Sequence, residues 1–361
     1  MFGFGSGKKP SLFSKSSSQQ WQSQYQQHLA GYRSTALPVG VPKEAVQRTS
    51  NEHTCELVMP FACAQEAPAL SQFLSACLQR DVAVSISVKL TGAAKFAHIK
   101  HIILVASGKG GVGKSTCAVN LALALKHEGA KVGILDADIY GPSIPLLLGL
   151  QQQKPHAADD RSLLPMEQHG IKAQSIGFLV DPDDATVWRG PMASQALMQL
   201  LNETQWGELD YLIVDMPPGT GDIQLTMSQK VPASGALIIT TPQDLALADA
   251  QKGVAMFNKV NVPIIGLVEN MSQFECPHCH ESSSIFGADG AAKLAQRYGV
   301  PILAELPLAI AIRECSEQGG DLAQQHTSLA EHFSMAARVC ASQLYYQEGA
   351  QSSVEIIITD D

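Results

Sequence analysis

The stretch Ile102-Ile103-Leu104-Val105-Ala106-Ser107-Gly108-Lys109-Gly110-Gly111-Val112-Gly113-Lys114-Ser115-Thr116 decides the fold. An apolar, strand-like run from Ile102 to Ala106 feeds a loop of the form G-x-x-x-x-G-K-[ST], and an almost wholly apolar helical stretch, Ser115 to Leu125, follows it. Glycines let such a backbone curl so that its N–H groups point inward at a triphosphate, while the helix presents its positive N-terminus to the same oxygens. In that geometry Lys114 reaches the β- and γ-phosphates and the Ser115 hydroxyl sits on Mg²⁺. Gly108 to Thr116 is therefore read as the nucleotide-binding segment.

Outward from this loop the pattern repeats. Short runs rich in Ile, Val and Leu recur at Ile102–Ala106, Lys131–Leu135, Ile171–Ile176, Tyr211–Val214, Ala236–Thr240, Ile264–Val268 and Ile302–Leu306. Helical stretches separate them; in Leu247 to Val260, for instance, Leu247, Ala250, Val254 and Phe257 recur at steps of three and four. Such alternation predicts an α/β fold with a doubly wound, mostly parallel sheet. The polar insert Gln151 to Gln168 reads as a surface excursion. Before the large unit, the apolar run Cys55 to Phe61, the helix-like Ala67 to Leu78 and the alternation Val82, Val84, Ile86, Val88 predict a small βαβ-like module. The expected organisation is a disordered polar tail at 1–50, the module at 51–98, the nucleotide-binding domain at 99–346 and an acidic tail at 347–361. The first of these is rich in Ser and Gln and has no Asp or Glu before Glu44. That faintly resembles a transit peptide, but with Arg33 as its single arginine before that point it is read as a tail.

Composition bounds the function. The 361 residues carry 25 Lys and Arg against 34 Asp and Glu, a net charge of −9, which argues against a nucleic-acid partner held by phosphate neutralisation. No run approaches the roughly 18 apolar residues of a membrane span, and no secretory signal opens the chain, so a cytoplasmic protein without a membrane partner is expected. Eight cysteines are too few for a disulfide scaffold in a chain this long. Cys55, Cys63, Cys77, Cys117, Cys315 and Cys340 are isolated and read as small buried side chains.

Two acidic strand ends complete the phosphate site. Asp215 closes Tyr211-Leu212-Ile213-Val214 and can hold Mg²⁺ through water, and Gly219, in Pro217-Pro218-Gly219-Thr220-Gly221-Asp222, can offer its N–H to a γ-phosphate. In Ile134-Leu135-Asp136-Ala137-Asp138 one carboxylate can help hold the metal while the other orients the attacking water. Cys276-Pro277-His278-Cys279 supplies two thiolates at a spacing that converges on one metal or cluster, half the ligands of a closed site. Zinc and a thioredoxin-like redox role compete for this pair. His278 and His280 read as exposed loop residues.

The loop Lys109-Gly110-Gly111-Val112-Gly113-Lys114-Ser115 resembles the deviant Walker A loop of septum-site, plasmid-partition and arsenite-pump ATPases. Together with Ile134 to Pro145, Val187 to Ser194, Asp215 to Asp222 and Val268 to Ser272, it closely resembles the Mrp/ApbC family from about Ile102 to Tyr346. That family comprises ATP-hydrolysing homodimers that carry a [4Fe–4S] cluster to apoproteins. The resemblance implies catalytic roles for Lys109, Lys114 and Asp138, with Lys109 crossing to the other subunit's phosphates and Asp138 orienting water. It further implies magnesium at Ser115, Asp136 and Asp215, adenine contact by Asn270, and ligation by Cys276 and Cys279 of a cluster bridging two protomers. Relatives commonly carry a longer N-terminal module, of which only about His53 to Thr91 is similar here. A spatial-positioning ATPase and a zinc-clasped regulatory ATPase are the alternatives.

Overall fold

The alternation of apolar runs and helices is realised as a nine-stranded, mostly parallel sheet with helices on both faces. The computed structural model describes residues 13–47, 51–159, 161–180 and 188–352. Its N-terminal part holds α1 (Phe13–Leu29), β1 (Thr54–Met59), α2 (Ala67–Leu78) and β2 (Ala83–Val88). Then come β3 (Ile99–Ser107), α3 (Lys114–His127), β4 (Val132–Asp136), α4 (Ile144–Leu147), a hairpin of β5 (Ala157–Asp159) and β6 (Ser162–Leu163), β7 (Met166–Gln168) and β8 (Ile171–Ser175). After α5 (Gly190–Glu203) follow β9 (Leu209–Asp215), α6 (Asp222–Lys230), β10 (Gly235–Thr240), α7 (Asp244–Lys259) and β11 (Ile264–Glu275). The last described elements are β12 (Ser282–Ser283), α8 (Gly290–Tyr298), β13 (Ile302–Leu308), α9 (Ile310–Glu317), α10 (Leu322–Gln325) and α11 (Thr327–Ser352).

The large sheet runs β12-β11-β10-β3-β9-β4-β8-β7, with β13 also on β11. Only β12 and β7 pair antiparallel to their neighbours. From β3 the chain crosses by α3 to β4, two strands away on one side, whereas α6 carries β9 over to β10 on the other. The carboxyl end of β3 is thus a topological switch point, where open α/β sheets bind ligands. Alternate residues of β3 enter different cores: Ile103 and Val105 face α3 and α11, while Ile102 and Leu104 lie with residues of α5 and α7. Burial on both faces is why its sequence is apolar without interruption.

The module is a parallel β1–β2 pair joined by α2, and it has no core of its own. Leu57, Met59, Phe61, Leu70 and Leu74 belong to the same cluster as Cys117 to Leu125 of α3. Cys77, expected to be buried, is exposed on α2.

The expected disordered tail at 1–50 is corrected wherever that span is described. Trp21, Tyr25 and Leu29 stand four apart on α1 and form one face, on which Tyr25 is 0% and Leu29 1% exposed. The Tyr25 hydroxyl donates to the Glu52 carbonyl at 2.7 Å, the Arg80 guanidinium lies 4.8 Å over the Trp21 ring, and Leu37 and Val46 are buried. Abundant Ser and Gln lower the average hydropathy of this segment and hide a stripe of three large side chains. The expected acidic tail at 347–361 begins within α11, which runs to Ser352. Positions 1–12 and 353–361 lie outside the described residues.

Arg338, on α11, ties these parts together. Its Nη1 donates to Glu128 at the end of α3 at 3.0 Å, its Nη2 to Glu331, and its Nε lies 3.7 Å from Glu66 in the module. Glu66 in turn accepts from the Tyr32 hydroxyl at 2.5 Å and the Ser34 hydroxyl at 2.7 Å. Burial pushes the Glu128 carboxyl up to about 7, against the opposing pull of Arg338 and the Gln65 N–H. Because this folded-state value lies above the ordinary 4.5, the native chain holds that proton more tightly than the unfolded chain. The resulting contribution to stability is whole below about 4.5 and is lost as pH climbs through about 7. Arg338→Ala strands two buried carboxyls and is expected to cost about 3–5 kcal/mol in denaturant unfolding at neutral pH. Its deficit should be smaller at pH 5 than at pH 8, where Glu128 is charged; an equal deficit at both would refute this account.

Candidate functional site

The phosphate loop leaves β3 at Ser107 and enters α3 at Lys114. Gly113 has φ +81°, and a Cβ there would stand 2.3 Å from the Asn270 amide nitrogen, so both conformation and space require glycine. Above Gly110 and Gly111 nothing lies within 4 Å of where a Cβ would project. Open space over backbone amides at a helix N-terminus is what a phosphate chain needs. The Ser107 hydroxyl donates to the Lys109 carbonyl at 2.9 Å and shapes the loop. Val112 is buried and anchors it from below, while Thr116 and Ser115 sit half-buried in the first turn of α3.

Lys114 is 7% exposed and donates to Asp215 Oδ1 at 2.6 Å and to the Ser115 hydroxyl at 3.3 Å. Its Nζ lies 4.0 Å from Asp138 Oδ2. Asp215 is fully buried and its Oδ2 has no hydrogen-bond partner. Burial raises both the Asp215 and the Asp138 carboxyls above the ordinary range, and the Lys114 charge opposes it in each.

Asp136 pairs in register with Asp215 on the adjacent strand, and its carboxyl is pushed up to about 7, chiefly by burial and then by the Asp215 charge. Its Oδ1 accepts from the Asp138 N–H at 3.1 Å, and its Oδ2 accepts from the Ile144 N–H at 3.1 Å and the Ser175 hydroxyl at 3.0 Å. Through these three bonds Asp136 holds the loop after β4 in place. In this conformation the Gly219 N–H donates to the Ser107 carbonyl at 2.9 Å. The Asn270 amide donates to the Val112 carbonyl at 2.9 Å, which places it on the phosphate loop. Lys109 reaches Gln243 of its own chain, at 3.5 Å.

Cys276 and Cys279 lie at the far end of β11, in a turn closed by His280 N–H to the Cys276 carbonyl at 2.9 Å and by Cys276 N–H to the Glu281 carbonyl at 3.1 Å. Cys279 is exposed and Cys276 half-buried. The N–H groups of Cys279 and His278, with the Cys279 thiol, lower the Cys276 thiol and favour its thiolate. His278 and His280 are exposed as expected, and His280 Nδ1 lies 2.8 Å from a Glu275 carboxyl oxygen.

Sequence reasoning passed over Gln224, in the first turn of α6, which is 1% exposed with neither amide atom partnered, and Gln243, which receives Lys109. No motif marks either. Among the described residues no helix is long and apolar enough to cross a membrane, and no three His, Cys, Asp or Glu side chains gather as a metal site.

Comparison with known proteins places this geometry. The pattern of a ParA-type family described as NUBPL iron-transfer P-loop NTPase matches residues 98–341. An iron-sulfur cluster carrier protein of Haemophilus influenzae is 48% identical over 315 residues, spanning 84% of this chain and 85% of the relative. One from Escherichia coli K12 is 50% identical over 305 residues, 81% of this chain and 83% of its own. The iron-sulfur cluster transfer protein NUBPL of Dictyostelium discoideum is 55% identical over 222 residues, covering 61% and 69%. Among solved structures, a nucleotide-binding protein of Archaeoglobus fulgidus in complex with ADP superposes with a TM-score of 0.56 at 40% identity, over 63% of this chain and 90% of that one. The cell division ATPase MinD of Pyrococcus furiosus, at 23% identity, 66% and 97% coverage and a TM-score of 0.50, shares the fold. The chain belongs to the NUBPL iron-transfer P-loop NTPase family.

Proposed function

We propose that this protein is an iron–sulfur cluster carrier: a homodimer that binds and hydrolyses ATP, holds a [4Fe–4S] cluster between the cysteine pairs of its two subunits and passes it to apoproteins. The observation that carries this reading is an open phosphate cradle and an exposed, thiolate-favouring cysteine turn on one chain, in a family whose relatives named above are cluster carriers.

On this reading Lys114, which donates to Asp215 at 2.6 Å, turns one or more of its three N–H donors to phosphate oxygens when ATP enters. Asp215, already carrying an unpartnered buried oxygen, and the Ser115 hydroxyl would then hold Mg²⁺, a cation that takes one or two protein oxygens and fills its shell with phosphate and water. Mg²⁺ supplies charge neutralisation on the β- and γ-phosphates. Asp138, raised by burial and placed near Lys114, is suited to orient water and accept its proton. Gly219 must leave the Ser107 carbonyl before its N–H meets a phosphate, and Lys109 must leave Gln243 before it serves the other subunit. Two thiols per chain are half of a four-ligand set, and a two-fold axis completes it. A cluster held by few, exposed ligands can leave, as a carrier requires.

Asp138→Asn is expected to leave ATP affinity in place and lower kcat about 10²-fold or more in steady-state hydrolysis, whereas Lys114→Ala should lose nucleotide binding in calorimetry. An Asp138→Asn variant with the wild-type kcat would remove it from the mechanism. Anaerobic reconstitution should give about four irons and four sulfides per dimer, lost in Cys276→Ala/Cys279→Ala. Zinc in their place would make the cysteines a structural clasp and end the carrier reading.

A further inference from the structure

β11 touches both halves of the candidate site. Its residues Ile264 to Val268 are buried in the sheet between β10 and β13, which fixes them. Asn270 then donates its amide to the Val112 carbonyl of the phosphate loop at 2.9 Å, and the Met271 methyl carbon lies beside Gly113, 3.8 Å from where a Cβ would stand. The same strand runs on to Glu275 and delivers Cys276.

Between these contacts the pairing breaks. Asn270 stands opposite Leu306 and Phe274 opposite Leu308, so β11 takes two more residues than β13 to cover the same span. Met271, inside this bulge, has φ +58°, a left-handed conformation disfavoured for a residue with a side chain. The Ser272 hydroxyl donates to the Leu306 carbonyl at 3.0 Å and pins the bulge to β13. Beyond it the cysteine turn, 277–283, is exposed. A cavity of about 590 Å³ lies beside it, lined by Phe274, Glu275, Pro277, Pro307, Leu308 and Ile310 among others.

We propose that the bulge at Met271 to Gln273 is the link by which occupancy of the phosphate loop sets the geometry of Cys276 and Cys279, with Met271 as its positioning residue. Movement of the Val112 carbonyl or of Gly113 on nucleotide binding displaces the Asn270 amide and the Met271 side chain that rest on them. The buried half of β11 cannot follow, so the displacement passes outward along the bulge to a hairpin with room to move. Linkage makes the effect reciprocal: metal-loaded cysteines alter nucleotide affinity by the factor by which nucleotide alters their hold on metal.

The inference deepens the carrier reading, but its test needs no cluster. In reduced, cluster-free protein, alkylation of Cys276 and Cys279 by iodoacetamide is followed by peptide mass spectrometry, which separates them from exposed Cys77. A non-hydrolysable ATP analogue with Mg²⁺ is expected to change their rate about fivefold or more in the wild type. Met271→Gly adopts the left-handed backbone without strain but carries nothing against Gly113. It should bind the analogue with comparable affinity and lose most of that response. If Met271→Gly does not fold, Ser272→Ala, which cuts the tie to Leu306, is read the same way. A wild type that does not respond, or a bulge variant that binds the analogue and responds fully, overturns the proposal. Because free thiols are the readout, either result stands apart from whether reconstitution yields a cluster.

Discussion

The contact between Lys114 and Asp215 is the constraint around which the site is arranged. Both groups are nearly cut off from water, and a buried charge of either sign is tolerable only beside its counter-ion. That pairing demands that α3 begin where β3 ends and that β9 lie next to β3, the order the parallel sheet provides. It also keeps the ammonium from standing bare, since its resting partner is the Asp215 carboxylate. The resting contact keeps the loop organised while leaving space above Gly110 and Gly111.

Asp136 illustrates how the neighbouring carboxylate is kept from competing. Two acids side by side on adjacent strands repel, and burial deepens that cost. The chain resolves it by giving Asp136 three donors of its own, the N–H groups of Asp138 and Ile144 and the Ser175 hydroxyl. Those bonds fix the turn after β4, and the turn sets Asp138 within reach of Lys114. One aspartate thereby positions another, an arrangement that the D-x-D spacing in sequence does not reveal.

Legibility in the sequence followed the strength of local patterning. The central strands of the large sheet are buried on both faces, and runs of Ile, Val and Leu announced seven of its nine strands, although β11 continues past Val268 to Glu275; the short, little-buried β7 and β12 carry no such run, and α2 stood where its helical pattern placed it. The phosphate loop was readable because its glycines and lysine answer to backbone geometry within a short segment. What escaped was set at a distance. The packing of α1 depends on three side chains among many polar ones, and on Glu52 and Arg80, which belong to a later segment. The occupation of the Asp136 oxygens, the Gly219 N–H bond to Ser107 and the unpartnered Gln224 are products of tertiary placement. No spacing within the chain encodes them.

The tie at Arg338 has a consequence for the order in which the chain is made. Tyr345 bonds Glu44 across 301 residues and Arg338 bonds Glu128 across 210, so segments made earlier find their cover on α11, synthesised long after them. At ribosomal speeds of about 5–20 residues per second, tens of seconds separate the emergence of the module from the arrival of its partner helix. Through that interval Phe61, which packs on Tyr345 and Tyr346, faces water or whatever else is bound to the nascent chain. Contacts of such long range gather slowly, and the module's apolar face is complete only once α11 has arrived.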